Sequence, residues 1–263
     1  MINRIGNFIP ERFLGKVVIV TGAESGIGKA TASRFVQEGA MVYGFGLRTE
    51  LGEQWVMQTQ SYAGESHFMK CDVSNAQQVS DSIDEIANKH ARIDVLVNNA
   101  GKFLYGDVTE TSEADWDLVL ATNLKSMFLT SKYAIPFMKK TGGSIINIAS
   151  VHAFATMEKV PAYAASKGAV VALSRQMAID FIKDRIRVNS VVVGGVNTEM
   201  SVKHALSIGK TLDNLGFVLE NDVLGRAAEP EEIAAGITFL ASDDASFVVG
   251  APFLIDGGLT SNL

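Results

Sequence analysis

The sequence has few of the features that mark secreted, membrane-spanning or nucleic-acid-binding proteins. It contains one cysteine, Cys71, so no disulfide can form within the chain, and this fits a reducing compartment. No uninterrupted run of about 18 apolar residues is present, which argues against a membrane-spanning helix. Acidic residues outnumber basic ones, 29 to 23, and the net charge of −6 argues against a nucleic-acid partner. The first residues lack the apolar core and cleavage site of a secretory signal, so we expect a cytoplasmic protein.

Apolar segments of two kinds alternate along the 263 residues, of which 47% are hydrophobic. The predicted strands are Lys16–Val20, Ala40–Phe45, Ser66–Cys71, Ile93–Val97, Ser144–Ile148, Arg187–Val192 and Gly250–Ile255. The predicted helices are Ile27–Gln37, Glu50–Ser61, Ala76–Lys89, Trp116–Lys140, Ala162–Lys183 and Glu231–Ala241. Continuously apolar strands joined by helices predict an α/β fold: one doubly wound parallel sheet of about seven strands, flanked by helices.

The chain shows no linker or shift in composition, which favours one domain over residues 1–263. Residues 1–13 read as an N-terminal arm. Residues 197–226 have only weak helical patterning between two clear elements, and inserts of this length in α/β enzymes are often lids over a site. The alternative is that residues 197–226 form a surface loop without a functional role.

The first strand is followed directly by a glycine-rich turn and a helix. Gly22 allows a tight exit from the strand, Gly26 lets the backbone approach a pyrophosphate, and Gly28 lets helix and strand pack closely. The free amides at the start of the helix point at anionic oxygens. This arrangement predicts a dinucleotide-binding site.

The string TGAESGIG at this turn resembles the nucleotide loop of the short-chain dehydrogenase/reductases. Further motifs of that family follow in order over residues 14–260: Asp72-Val73, Asn98-Asn99-Ala100-Gly101, Ser150, Tyr163-x-x-x-Lys167 and Asp256-Gly257-Gly258. The resemblance implies a Rossmann fold and an oxidoreductase that interconverts a secondary alcohol and a ketone with NAD or NADP. Relatives are usually tetramers, so we expect a homotetramer or homodimer built through the helices predicted at Trp116–Lys140 and Ala162–Lys183 and through the C-terminal strand.

Tyr163 and Lys167 stand four residues apart, so a helix presents both on one face. Hydride transfer to or from an alcohol carbon requires a proton to move on or off its oxygen. A tyrosine with an ordinary pKa near 10 is poorly matched to neutral pH. A neighbouring ammonium and an oxidised nicotinamide together lower the pKa of the tyrosine, and Lys167 is placed to be that ammonium.

The resemblance assigns further roles. Asn123, Ser150, Tyr163 and Lys167 match the family's catalytic residues: the serine holds the reacting oxygen, the lysine also binds the nicotinamide ribose, and the asparagine sits in a distorted helix and holds a water. The residues expected to bind coenzyme are Gly22, Ser25, Gly26, Ile27, Gly28, Arg48, Asp72, Val73, Asn99, Ala100, Gly101, Tyr163, Lys167, Val196 and Thr198. No metal is expected, since the four histidines lack ligand spacing.

The end of the second strand usually decides between the two coenzymes, because an acidic residue there binds the adenine ribose and repels a 2′-phosphate. In this sequence Gly46 falls at the acidic position, and Arg48 follows as a candidate phosphate ligand. NADP is therefore favoured over NAD. Ser25 stands where phosphate-preferring relatives often carry a basic residue, and the lack of that residue favours NAD.

The substrate is expected to be a small molecule, either a sugar or polyol or a cyclic alcohol. The residues expected to face it are Phe103, Ser150, His152, Phe154, Tyr163 and Met200. A 3-oxoacyl-[acyl-carrier-protein] reductase is an alternative, but Lys203 and Lys210 alone make a poor basic patch for an acidic carrier. A coenzyme-binding regulator without catalysis is a second alternative, and the intact catalytic set argues against it.

Overall fold

Seven apolar segments form the strands of one parallel sheet. The computed structural model describes residues 8–207, 209 and 223–262. The strands are β1 Val17–Thr21, β2 Met41–Gly46, β3 Glu65–Lys70, β4 Val95–Asn98, β5 Gly143–Ser150, β6 Ile186–Val193 and β7 Pro252–Ile255. Each predicted strand is present, with ends shifted by at most two residues. The order β3-β2-β1-β4-β5-β6-β7 confirms the predicted doubly wound sheet.

Helices cover both faces of this sheet. They are α1 Gly26–Gln37, α2 Thr49–Thr59, α3 Ala76–His90, α4 Glu113–Leu120, α5 Ser126–Met138, α6 Pro161–Phe181, α7 Glu199–Ser207 and α8 Pro230–Ala241. Two buried apolar clusters lie between the sheet and these helices, one on each face. The prediction of a single helix over Trp116–Lys140 is wrong in detail, because a π-helical turn, Ala121–Lys125, separates α4 from α5.

The strand order reverses between β1 and β4, which are neighbours in the sheet. From β1 the chain moves outward to β2 and β3, and from β4 it moves outward the other way. The loops that leave the carboxyl ends of β1 and β4 therefore diverge and leave a crevice between them. This is where an open parallel sheet binds its ligands.

The two irregular segments of the sequence are described in part. Residues 8–13 of the predicted arm pack onto α1: the Phe13 ring lies edge-on to Phe35 at 4.7 Å, and Arg12 pairs with the buried Glu38 at 2.6 Å. Residues 1–7 lie outside the described residues. The predicted lid contains α7, while residues 208 and 210–222 lie outside the described part. Among the described residues, no helix combines the length and apolarity needed to cross a membrane.

Candidate active site

A cavity of about 920 Å³ opens at the carboxyl ends of the central strands, within the size range of small-molecule sites. Most of the predicted coenzyme-binding residues line it: Gly22, Ser25, Gly26, Ile27, Arg48, Asp72, Val73, Asn99, Ala100, Gly101, Tyr163, Lys167 and Thr198. We call the part around Ser150, Tyr163, Lys167 and Asn123 the tyrosine end. The part around Glu24, Gly46, Arg48 and Glu199 is the glutamate end.

Between the two ends lies the glycine-rich turn. Gly22 and Gly26 have φ angles of +67° and +51°, which disfavour any residue with a Cβ. A Cβ on Gly28 would come within 2.1 Å of the Gly22 carbonyl oxygen, so helix and turn can pack only without it. The Ser25 side chain makes no capping bond to α1, whose N-terminal end carries partial positive charge. A groove free of side chains at a helix N-terminus fits a pyrophosphate.

The turn is held against the loop that follows β4 by Thr21. The backbone amides of Asn99 and Ala100 each donate to Thr21 Oγ1 at 2.9 Å, and Asn99 Nδ2 donates to the Thr21 carbonyl oxygen at 2.9 Å. These bonds join the two walls of the crevice. Sequence analysis assigned coenzyme binding to Asn99 but missed Thr21, although a threonine at the exit of β1 was a visible signal.

At the tyrosine end, three of the four predicted catalytic side chains lie next to one another. Ser150 ends β5, and its hydroxyl hydrogen-bonds to Tyr163. Lys167, only 3% exposed, donates from Nζ to the Ile148 carbonyl oxygen at 2.7 Å. Its Nζ lies 5.5 Å from the centre of the Tyr163 ring. The predicted spacing on α6 therefore places the ammonium beside the phenol.

Burial dominates the proton affinities of both groups. It raises the pKa of Tyr163 to about 12, and the hydrogen bond with Ser150 opposes this only in part. Burial lowers the pKa of Lys167 to about 8. In the chain by itself the shift of Tyr163 is opposite to the lowering expected when an oxidised coenzyme is bound, so the phenol carries its proton at neutral pH. Lys167 is still mostly an ammonium at pH 7.

Asn123 lies in the π-helical turn and is fully buried. Its Oδ1 accepts from the Lys102 amide at 2.6 Å, and its Nδ2 donates to the Lys102 carbonyl oxygen at 2.9 Å and to Ser166 Oγ at 3.1 Å. The side chain thus ties the loop after β4 to α6 beside Tyr163. The distorted helix implied by the family resemblance is present, and a π turn at a functional site is a common arrangement.

The glutamate end carries a feature that sequence analysis missed. An ideal Cβ on Gly46 would lie 2.1 Å from Glu24 Oε2, so the Glu24 carboxylate fills the space that a side chain at position 46 would take. Glu24 Oε1 accepts from the Leu47 amide at 3.3 Å and lies 3.7 Å from Arg48 Nε. Arg48 also pairs with Glu199 of α7, Nη1 to Oε2 at 2.9 Å. Arg48 is therefore flanked by two carboxylates.

The residues expected to face the substrate divide into two groups. The ring of Phe103 lies 4.8 Å from that of Tyr163, and the His152 ring meets Tyr163 edge-on at 5.5 Å. Met200 lines the cavity from α7. Phe154 does not line the cavity and is 55% exposed, because the short helical turn Val151–Ala153 after β5 carries it outward.

Val196 is placed differently from the other predicted coenzyme-binding residues. Its side chain is 5% exposed and belongs to the apolar core, while its backbone pairs with Ala228. Thr198, two residues on, reaches the glycine-rich turn: its Cγ2 would lie 3.2 Å from a Cβ on Gly26. Val196 therefore does not line the cavity, in contrast to Thr198.

Comparison with known proteins finds relatives that match nearly the whole chain. A family model described as enoyl-(acyl carrier protein) reductase matches residues 22–260. The meso-2,3-butanediol dehydrogenase of Serratia marcescens is 41% identical over 95% of this chain and 97% of that protein. The cyclopentanol dehydrogenase of Comamonas sp. strain NCIMB 9872 is 37% identical over 94% and 98%. The ligand-free aldohexose dehydrogenase of Thermoplasma acidophilum superposes with a TM-score of 0.87, is 35% identical, and the match covers 97% of this chain and 98% of that one.

These relatives define an oxidoreductase that acts on secondary alcohols, of a family that uses NAD or NADP. The chain belongs to the short-chain dehydrogenase/reductase family.

Proposed function

We propose that the chain is an NAD(P)-dependent dehydrogenase of a small polyol or cyclic secondary alcohol, with Tyr163 as its acid and base. The observation that carries this proposal is the tyrosine end: a phenol hydrogen-bonded to Ser150, beside a buried ammonium, at the wall of a cavity. The family's reaction needs that set of groups within reach of one oxygen atom.

Each side chain of the tyrosine end has a distinct task in this proposal. Ser150 donates a hydrogen bond to the substrate oxygen and holds it against Tyr163. In ketone reduction the protonated Tyr163 gives its proton to that oxygen, and in alcohol oxidation it takes the proton. Lys167 stabilises the phenolate and binds a ribose hydroxyl of the coenzyme. The bound coenzyme supplies or accepts the hydride.

Lowering the pKa of Tyr163 is the demanding part of this chemistry. A change from about 12 to neutrality corresponds to roughly 7 kcal/mol of added stabilisation of the phenolate. Lys167 is the cation of the chain that lies beside the ring, and the positive charge of the oxidised nicotinamide is the second source. With a pKa of about 12, the Tyr163 phenol carries at neutral pH the proton that ketone reduction requires.

The substrate class is supported by the wall of the cavity and by the relatives. Phe103, Leu104 and Met200 give the cavity an apolar side next to Tyr163. Three similar proteins are named for a vicinal diol, a cyclic alcohol and an aldohexose. All three substrates are small secondary alcohols.

The carrier-protein alternative is less well supported by the described part of the lid. Lys203 Nζ pairs with Glu199 at 2.6 Å, and the Arg226 guanidinium pairs with Glu232 at 2.7 Å, so both cations are neutralised locally. Lys210 lies outside the described residues. A surface of this kind offers little attraction to an acidic carrier.

The homotetramer remains a prediction, and apolar side chains on three elements support it. Phe128 of α5, Ile179 of α6 and Leu254 of β7 are 50%, 72% and 48% exposed. Exposed apolar groups on the elements that were expected to form the interfaces are typical of surfaces buried by association. Light scattering on the purified protein measures the mass directly.

Turnover of a substrate panel tests the proposal. We expect oxidation of meso-2,3-butanediol, cyclopentanol or an aldohexose with release of NADH or NADPH, and at least tenfold slower reduction of a 3-oxoacyl thioester. Tyr163→Phe should lower kcat by roughly 10²–10⁴ without loss of coenzyme binding, because only the proton transfer is removed. Tyr62→Phe, outside the cavity lining, is the matched control. Full turnover by Tyr163→Phe would contradict the mechanism.

A further inference from the structure

Position 46 lacks the carboxylate that binds the adenine ribose in proteins of this architecture, and a carboxylate from another element fills the place. A dinucleotide whose pyrophosphate lies on the glycine-rich turn extends its adenine ribose to the end of β2. Gly46 ends β2 and has no side chain to offer. Glu24, within the turn itself, projects its carboxylate into that space, with Oε2 at 2.1 Å from where a Cβ of residue 46 would be.

The state of this carboxylate points to a ligand. The Glu24 side chain is only 9% exposed, and it lines the cavity. One oxygen, Oε1, is held by the Leu47 amide, whereas Oε2 is buried with no hydrogen-bond partner among the described residues. A buried carboxylate oxygen without a donor is costly unless a donor arrives with a ligand. A pair of ribose hydroxyls supplies such donors.

Arg48, the residue expected to hold a 2′-phosphate, is already engaged. Its Nη1 pairs with Glu199 at 2.9 Å and its Nε faces Glu24 at 3.7 Å. A phosphate at this place would approach the Glu24 and Glu199 carboxylates, which are balanced by the Arg48 guanidinium and by Lys203, whose Nζ pairs with Glu199 at 2.6 Å. Both cations are already engaged, so a 2′-phosphate would have to compete with carboxylates for them, and an uncharged diol is the better fit beside the Glu24 carboxylate.

We propose that Glu24 recognises the 2′- and 3′-hydroxyls of the adenine ribose in place of an acid at the end of β2, and that the chain selects NAD(H) over NADP(H). This assignment rests on the proposed function, since it requires a bound dinucleotide. It reverses the preference for NADP that Gly46 and Arg48 suggested in the sequence. Gly46 and Glu24 then act together, because the lack of a side chain at position 46 leaves the space that the Glu24 carboxylate occupies.

The first test is a parallel fluorescence titration with NADH and NADPH, which needs no substrate. The unsubstituted protein should bind NADH at least tenfold more tightly than NADPH. Glu24→Gln keeps the size of the side chain and removes its charge, so the ratio of the two dissociation constants should fall by tenfold or more. Glu53→Gln, an exposed glutamate on α2 outside the cavity lining, makes the same charge change and should leave the ratio unaltered.

The second test moves the carboxylate to the other element. Glu24→Ala should lose the preference for NADH, and Glu24→Ala combined with Gly46→Asp should regain it, because the aspartate then fills the vacated space. Gly46→Asp alone should not improve NADH binding, since Glu24 occupies that space. A double variant that folds, as judged by circular dichroism, yet binds like Glu24→Ala would contradict the proposal.

The outcomes separate the two proposals. Tighter binding of NADPH by the unsubstituted protein, or an unchanged ratio in Glu24→Gln, overturns the role of Glu24 and leaves the dehydrogenase intact. Failure to bind either coenzyme overturns both. Normal NADH selectivity in a protein that turns over none of the alcohols overturns the proposed reaction alone.

Discussion

The two ends of the cavity are built in opposite ways. At the tyrosine end, Tyr163 and Lys167 come from one helix, are mostly enclosed, and pair with neutral partners, a serine hydroxyl and a backbone carbonyl. At the glutamate end, Glu24, Arg48 and Glu199 come from three separate segments and form a chain of ion pairs that is partly open to solvent. The tyrosine end sets the proton affinities of Tyr163 and Lys167. The glutamate end sets the local charge at the end of β2.

This difference explains which end the sequence reveals. A catalytic pair on a single helix has a fixed spacing, and the spacing is visible in the sequence. Charged residues that meet from distant segments have no fixed spacing in the sequence, and several combinations of residues can give the same local charge. The family's motif is therefore kept at the tyrosine end and replaced at the glutamate end.

The largest effect is expected from Lys167→Met, which separates activity from stability. Turnover should fall by roughly 10²–10⁴, because the phenolate loses its neighbouring cation. The folded protein should nevertheless become more stable at pH 7, since a pKa lowered from 10.5 to about 8 corresponds to roughly 3 kcal/mol spent on keeping the buried ammonium charged. Denaturant unfolding and steady-state kinetics measure the two effects.

The pH dependence of that difference checks its cause. The unfolded chain keeps the lysine proton up to about pH 10.5, whereas the folded chain releases it near pH 8, so the native protein gains stability between these values. Above pH 10 the raised pKa of Tyr163 acts in the other direction, because the unfolded tyrosine ionises first. The advantage of Lys167→Met should thus shrink from pH 7.5 to pH 10. An advantage that stays constant would show that packing, not charge, is its source.

A moderate effect is expected from Gly46→Ala at the glutamate end. The added methyl would come within 2.1 Å of Glu24 Oε2, and the carboxylate must move away from the end of β2. NADH affinity should fall by roughly tenfold, about 1.4 kcal/mol, with kcat little changed. Gly168→Ala is the matched control, since a methyl on Gly168 meets no atom within 4 Å. Equal NADH affinity in Gly46→Ala and the unsubstituted protein would contradict the placement of Glu24.

The smallest effect is expected from Glu199→Gln. Its carboxylate pairs with Arg48 and Lys203, which keep the pKa of Glu199 down at about 2, but all three side chains are at least two-fifths exposed. Exposed ion pairs contribute about 0–1 kcal/mol, so Tm and NADH affinity should change little. NADPH affinity should rise slightly, because one of two repelling carboxylates is gone. A large loss of NADH binding would show that α7 is held in place mainly by this pair.

The fold and the tyrosine end could be predicted from the sequence for physical reasons. Strands buried on both faces must be continuously apolar, so Val17–Thr21 and Ile186–Val193 stand out in the sequence. Helix α7 was missed because it has only nine residues, although Thr198 in front of it was a visible capping signal: its Oγ1 accepts from the Ser201 amide at 3.2 Å. The distorted helix at Asn123 was expected only through the resemblance, and the bond from the Lys102 amide to the Asn123 side chain joins residues 21 positions apart.

The glutamate end could not be predicted because its two changes lie 22 positions apart and each is unremarkable alone. In the sequence alone, an acid in the glycine-rich turn is unfavourable beside a pyrophosphate, and a glycine at the end of β2 removes the carboxylate that recognises the ribose. Only the sheet, which places β1 beside β2, shows that one residue fills the room left by the other. That Phe154 lies off the cavity lining could not be predicted either, because the short turn after β5, in which the His152 amide donates to Ser150 Oγ, carries it outward.

The independence of the two ends is measured most directly by the ratio of the NADPH and NADH dissociation constants in four proteins: the unsubstituted chain, Tyr163→Phe, Glu24→Gln and the double variant. If the ends act separately, Tyr163→Phe keeps the ratio within about twofold, and Glu24→Gln lowers it by tenfold or more whether or not Tyr163 is present, as expected for distant sites. A ratio that falls as far in Tyr163→Phe as in Glu24→Gln would contradict the account.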